Sequence, residues 1–308
     1  MSMLKSLTRR KSGGTLGIVN RSIGYLQGGY KDSTIHSRVQ LFNTTTQTGS
    51  IVYDTGYARY YTPGISGNNN GYFSINNNTD FNKFSYIAAS ASSSFTMPQY
   101  PQTSASDFGI YSIGWMLSST SGASWGQFAT TGWSAVPFNT EAVTNYGNLS
   151  ASPMGTTRQS PSTAFCAIFL STDYLGLTIL NFSNNALTTN AGNTSLCNSG
   201  IQIPVGMCSS NTIAYLVGFS PFNMKMTLSG ASITALSQET SFTYNFGESH
   251  SVTSSTDGYM MAGYNDTTGK YGGTQHGLCQ KITFSNSAVT TLSDLVLPQS
   301  SGQMMQGF

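Results

Sequence analysis

The chain has 308 residues, of which 12% are aromatic and only 8% charged, with a formal net charge of +2. So little charge, against about 25% in an ordinary soluble domain, raises a membrane protein as one reading, but no apolar run approaches the roughly 18 residues of a spanning helix. The 17 Tyr, 17 Phe and 3 Trp exclude a disordered chain, which lacks such core-forming material, and leave a folded β protein solvated by Ser, Thr, Asn and Gln.

The first segment, residues 1–22, stands apart. It holds Lys5, Arg9, Arg10, Lys11 and Arg21 and no acid, a balance of +5, whereas the remainder carries 8 basic and 11 acidic residues, a balance of −3. That asymmetry predicts a basic N-terminal arm separate from the main domain. No apolar run follows the cluster, so it reads neither as a signal peptide nor as a twin-arginine export signal.

From residue 23 onward a short phrase recurs. Its clearest copies are GYLQGGY from Gly24 and GYMMAGY from Gly258, with weaker ones from Gly71 (GYFSINN), Gly109 (GIYSIGW), Ala164 (AFCAIFL) and Ile213 (IAYLVGF). The spacings are 47, 38, 55, 49 and 45 residues, a period typical of propellers and other β-arrays. A second phrase runs in phase: Val39 to Thr46, Phe84 to Ser92, Leu180 to Asn190, Met226 to Leu236 and Ile282 to Leu292. Each reads as an apolar-x-apolar strand, a small polar turn and a Thr-rich strand, which is a β-hairpin in sequence. No segment sustains a 3.6-residue period.

Each repeat thus offers four strands: one before the GY phrase, as in His250 to Thr256, the phrase itself, and the hairpin. Four short antiparallel strands take roughly 40–50 residues, the size of a propeller blade. The first blade begins at its second strand, and Gln303 to Phe308 reads as a first strand with no blade after it. Pairing that strand with the blade of residues 24–54 would close the ring and remove exposed edges. The expectation is an all-β, six-bladed propeller over residues 23–308. A seventh blade, with Gly14 to Asn20 as an added first strand, is the alternative.

These phrases resemble the kelch-like repeat family. The likeness rests on GYLQGGY at 24–30, GYMMAGY at 258–264 and the strands QKITFS at 280–285 and NKFSY at 82–86. It covers residues 23–308 and is closest to the degenerate kelch-like proteins of tailed bacteriophages, those of cyanobacterial and other aquatic hosts especially. The doubled glycine is missing from the middle four repeats. The resemblance implies a propeller fold and a virion setting, and says little about activity.

Catalytic chemistry finds no constellation. A sialidase-like site needs an arginine triad, a Tyr/Glu pair and an acid. The repeats hold Arg38, Arg59 and Arg158, with Glu141, Glu239 and Glu248 as the glutamates, and the turn Ser119 to Trp125 lacks an aspartate. His276-Gly-Leu-Cys279 is a single HxxC, with His36 and His250 well separated from it in sequence, so no metal is expected. Gly67 to Gly71 lacks the lysine of a phosphate loop. A net-acidic repeat region does not favour nucleic acid. Cys166, Cys197, Cys208 and Cys279 form no CxxC pattern. Cys166 is expected as a buried thiol and a Cys197–Cys208 pair is left open, in a chain made in a reducing cytoplasm.

The reading is therefore a non-enzymatic phage virion protein without cofactor, displayed on the tail or capsid and made in the host cytoplasm. Lys5, Arg9, Arg10 and Lys11 are the expected docking residues toward other virion proteins. Tyr57, Tyr60, Trp125 and Trp133 are candidates for surface recognition, joined by Tyr61 and Trp115, since exposed aromatics with amide neighbours stack on sugars. Host glycan is the further expected partner, and membrane insertion is not expected. A carbohydrate-binding module and a cellular kelch-type adaptor are the alternatives.

Overall fold

The computed structural model describes residues 23–28, 30–31, 34–59, 64–66, 70–74, 80–96, 107–110, 113–117, 132–137, 140–142, 144–148, 152–158, 163–171, 174–181, 186–190, 206–210, 212–217, 223–229, 232–238, 241–244, 250–265, 274–292 and 303–307. Among them every regular element is a strand. The first sheet holds β1 (Ile23–Gln27), β2 (Tyr30–Lys31), β3 (Thr34–Asn43) and β4 (Thr48–Arg59). The second holds β5 (Gly64–Ser66), β6 (Asn70–Ser74), β7 (Asp80–Ser85) and β8 (Ser90–Thr96). The third comprises β9 (Asp107–Ile110), β10 (Ile113–Leu117), β11 (Gly132–Pro137) and β12 (Thr144–Asn148). The fourth is β13 (Ser152–Arg158), β14 (Thr163–Ser171), β15 (Tyr174–Asn181) and β16 (Ala186–Asn190). β17 (Gly206–Ser209), β18 (Ile213–Val217), β19 (Met224–Ser229) and β20 (Ser232–Gln238) make the fifth. The sixth contains β21 (His250–Thr253), β22 (Asp257–Asn265), β23 (Thr274–Thr283) and β24 (Val289–Thr291).

Sheets two to six are antiparallel meanders in chain order. The first sheet takes its fourth long strand from the far end of the chain: β25 (Gln303–Gly307) pairs antiparallel with β1, from Ile23 opposite Gly307 to Gln27 opposite Gln303. The opening strands of the sheets adjoin in the cyclic order β25, β5, β9, β13, β17, β21 and back to β25. Such an all-β arrangement of short four-stranded sheets is of the β-propeller type.

The recurring phrase has a packing cause. A second strand lies between two neighbouring sheets, so both its faces are covered and it reads as a continuous apolar run rather than an alternation. In β18, Ala214, Tyr215, Leu216 and Val217 are all buried, whereas β24 at the outer edge is largely exposed. Strand register defines the repeat unit. Gly24 faces Phe42, Gly71 faces Phe84, Ala164 faces Leu180, Ala214 faces Met226 and Gly258 faces Ile282.

One expected copy sits elsewhere. GIYSIGW from Gly109 is not a second strand, because Gly109 and Ile110 end β9. The equivalent pair is Gly114-Trp115 on β10, with Gly114 opposite Val136. The small residue at this position then recurs at 24, 71, 114, 164, 214 and 258, a more even series than the sequence phrase implied.

Tight turns set the register. Ser210 and Ser254 hold equivalent bends between first and second strands. Ser254 Oγ accepts from the amides of Thr256 and Asp257 at 3.3 and 3.0 Å, and Ser210 Oγ from those of Thr212 and Ile213 at 3.2 and 3.0 Å. These are the side-chain turn bonds that favour serine in bends. The hairpin turns end in a left-handed residue, at Gln47 (φ 57°), Ala89 (φ 46°), Glu141 (φ 53°) and Ser287 (φ 59°). Each lies five positions after the residue that faces the small member of the GY pair.

The sixth and first sheets meet through residues far apart in sequence. Tyr259 is buried, packs edge-to-face on Phe42 at 5.3 Å between ring centroids, and donates its hydroxyl to Thr44 O at 3.1 Å. Tyr259→Phe leaves the ring contact and deletes the bond. It is expected to cost about 0.5–1.5 kcal/mol in urea unfolding, with the slope of the transition unchanged.

Candidate functional site

A polar cluster among the described residues lies where one sheet's tyrosine meets the next sheet's turn. Tyr72 on β6 faces Lys83 on β7 across the strand pair, and the ammonium lies 5.8 Å from the ring centroid, a cation–π contact. Glu141, from the turn before β12, reaches over both. Its Oε1 accepts from Lys83 Nζ at 2.7 Å and Tyr72 OH at 3.3 Å, and its Oε2 accepts from Ser94 Oγ at 2.6 Å.

The same construction recurs with different chemistry. Lys225 Nζ lies 5.9 Å from the Tyr215 ring and donates to Ser287 Oγ at 2.7 Å, and Tyr215 OH and Ser287 Oγ are 2.8 Å apart. Ala89 packs on the cluster that holds Tyr25, whose ring meets Phe84 at 5.4 Å and stacks on Tyr86 at 4.7 Å. Gln47 lies beside Tyr259, where its amide counters part of the upward push of burial on the phenol. Each tyrosine thus sits under the left-handed residue of the following sheet's turn, and the sixth sheet is followed by the first.

The electrostatics hold these groups in place rather than activate them. Burial pushes the Tyr72 phenol up, and the Glu141 charge and bond add to it. Burial also raises the Glu141 carboxyl, but bonds from Lys83, Ser94 and Tyr72 and the Lys83 charge outweigh it, leaving it below the usual range. Tyr259 is pushed up to about 12, mainly by burial. Cys208 and Cys279 are free and buried, so Cys208 forms no disulfide with Cys197. Burial raises both thiols, Cys279 to about 12, which withholds the thiolate that cysteine reactivity requires.

Among the described residues no group of three His, Cys, Asp or Glu could hold a metal ion. A second polar group sits on the first sheet. Asp54 accepts from Ser37 Oγ and, at 2.9 Å, from the Gly56 amide, and these two bonds hold its carboxyl below the usual range.

Of the residues expected to recognise partners, Tyr57 lies near the end of β4 and Trp133 at the start of β11. In an antiparallel meander the end of a fourth strand and the start of a third lie at the same end of their sheets, so the backbone places both positions there. Trp115 is the third residue of β10, and Tyr60, Tyr61, Trp125 and the arm residues Lys5, Arg9, Arg10 and Lys11 lie outside the described residues. The Glu141 cluster was not anticipated. Its signal was the NKFSY lysine beside a buried tyrosine, but its acid comes from the next repeat.

No family model matches the chain, and no curated protein matches it. Solved structures do. The chain is similar to YjhT, at 10% identity and TM-score 0.61, over 91% of this chain and 99% of that one. It is similar to a chain of the nidogen/laminin complex, at 7% identity and TM-score 0.62, over 93% and 98%. Both are β-propeller-type structures, and at these identities the likeness speaks for the fold alone. Among the described residues no helix is long and apolar enough to cross a membrane.

Proposed function

We propose that the chain is a structural protein of a bacteriophage virion. In this reading it is a six-bladed, kelch-like propeller closed by β25, displayed on the tail or capsid and docked through its basic arm. The observation that carries the fold half is the coincidence of the kelch-like phrase with the junctions between sheets. The GY tyrosines Tyr25, Tyr72 and Tyr259 each lie against the next sheet in cyclic order. A closed ring leaves its loops free to vary without disturbing the core, which suits display and host attachment. The virion half rests on the phage-like phrases, the charge-poor exterior and the arm's separate charge.

The same reading is non-enzymatic. The Glu141 cluster is committed to its junction, its two carboxylate oxygens engaged by three donors. Tyr57 and Trp133, on strand ends that share one side of the sheets, are the positions from which a host glycan would be met.

The test is to express residues 21–308 and compare them with the full chain in thermal melting and in entry into virions. The expected result is an unchanged melting temperature with failure of incorporation, and rising salt should weaken docking of the full chain, as for any rim of charges. Normal incorporation of the truncated protein would overturn the docking role. A much lower melting temperature would make the arm part of the fold.

A further inference from the structure

The junctions share one construction and differ in what fills the left-handed turn position. Gln47 closes the junction of the sixth and first sheets, Ala89 that of the first and second, and Ser287 that of the fifth and sixth. Only Glu141, between the second and third, is ionisable among these four. We propose that Glu141 makes the junction of the second and third sheets an acid-sensitive latch, shut by the ionised carboxylate and released when it is protonated.

The geometry requires the charge. Two carboxylate oxygens take three donors from three strands, Tyr72 on β6, Lys83 on β7 and Ser94 on β8, the Lys83 ion pair at 2.7 Å. A protonated carboxyl keeps one good acceptor oxygen and offers Lys83 no counter-charge. It also leaves Glu141 in a left-handed backbone that a non-glycine residue adopts only when its surroundings hold it there.

Among the described residues, Lys83 and Tyr72 are the titratable groups that face Glu141 from the strands packed against it. Burial pushes the Tyr72 phenol up, so it stays neutral through the acid range, and Glu141 is the carboxyl that responds. At the fifth–sixth junction Lys225 meets a serine hydroxyl rather than a carboxylate.

The carboxyl is held below its ordinary value. Its contribution is therefore complete above the unfolded glutamate pKa of about 4.3 and is lost as pH falls through the folded value. Sheets that contact mainly their neighbours can part locally before the whole domain unfolds.

Hydrogen exchange of the full chain at pH 7 and in acid, corrected for the intrinsic rate, tests this. The strands 80–85 are expected to lose protection in acid ahead of 274–283, by about tenfold for each pKa unit of depression. Glu141→Gln should exchange faster in 80–85 at pH 7 and show no such selective acid response. Lys83→Met frees the carboxyl from its cation and should move the loss to higher pH. This second variant decides the matter if Glu141→Gln fails to fold. Parallel loss of protection in 80–85 and 274–283 of the wild type, an acid response retained in Glu141→Gln, or no pH displacement in Lys83→Met would each overturn the latch.

Discussion

Removing residues 303–308 is expected to abolish most of the stability of the domain. β25 pairs with β1 at the edge of the first sheet, and it also adjoins β5 and β21. Its loss strips one side of β1 over all five residues and leaves backbone groups of Ile23–Gln27 without their ladder. Gly24, Tyr25 and Leu26, now buried, would border water. Uncovering the Tyr25 and Leu26 side chains costs about 1.5–3 kcal/mol each, against a total of roughly 5–15 kcal/mol for a domain. Guanidinium unfolding should show a midpoint lowered by half or more, or no cooperative transition. A circular permutant that joins 307 to 23 and opens the chain between the third and fourth sheets should stay cooperative, because the strand is present and covalently held. An unchanged midpoint in the truncated chain would sink ring closure as the source of stability.

What could be read in advance follows from which positions restrict the side chain. The GY pair was legible at Gly24-Tyr25, Gly71-Tyr72 and Gly258-Tyr259 because a small residue must admit a neighbouring strand while the tyrosine fills the next junction. At 164 and 214 alanine holds the same register position, which blurs the phrase but keeps its place. The third copy was misplaced because Gly109 and Tyr111 imitate the pair just before the real one, Gly114-Trp115. Strand register separates the two, and composition does not. The segments of residues 280–285 and 82–86 were legible as hairpin arms, each in its own sheet, but not that Lys83 would lie over Tyr72.

The left-handed turn position was opaque for another reason. Gln47, Ala89, Glu141 and Ser287 share a backbone conformation and no side-chain chemistry. Their constancy lies in the count of five from the residue opposite the glycine. That count becomes visible only once β3, β7, β11 and β23 are aligned on their partners. The Glu141 cluster therefore joins residues whose separation, from 47 to 69 positions, exceeds any local motif.

Gly258→Ala is expected to destabilise the domain by about 1–3 kcal/mol, the range for overpacking a filled interior. The reason is space, not backbone freedom, since the left-handed glycine conformation occurs at Gly28 and Gly56 and not here. A Cβ at residue 258 would fall 2.8 Å from Cys208 Cβ, closer still to its Sγ, and 3.3 Å from Phe284 Cε1. Cys208 is buried on β17, the first strand of the preceding sheet, and packs with Tyr215, Met260, Ile282 and Phe284. It cannot swing into solvent, so the two sheets must separate or the cysteine must take a strained rotamer. Cys208→Ala removes the sulfur but keeps the Cβ, whereas Cys208→Gly removes both. The double variants should recover stability in that order relative to additive expectation, with coupling of about 0.5–3 kcal/mol, as for residues in contact. Urea unfolding of the two four-member cycles measures it. Full additivity, or a Gly258→Ala chain that melts with the wild type, would mean that the first glycine of the phrase is not kept small by the approach of the neighbouring sheet.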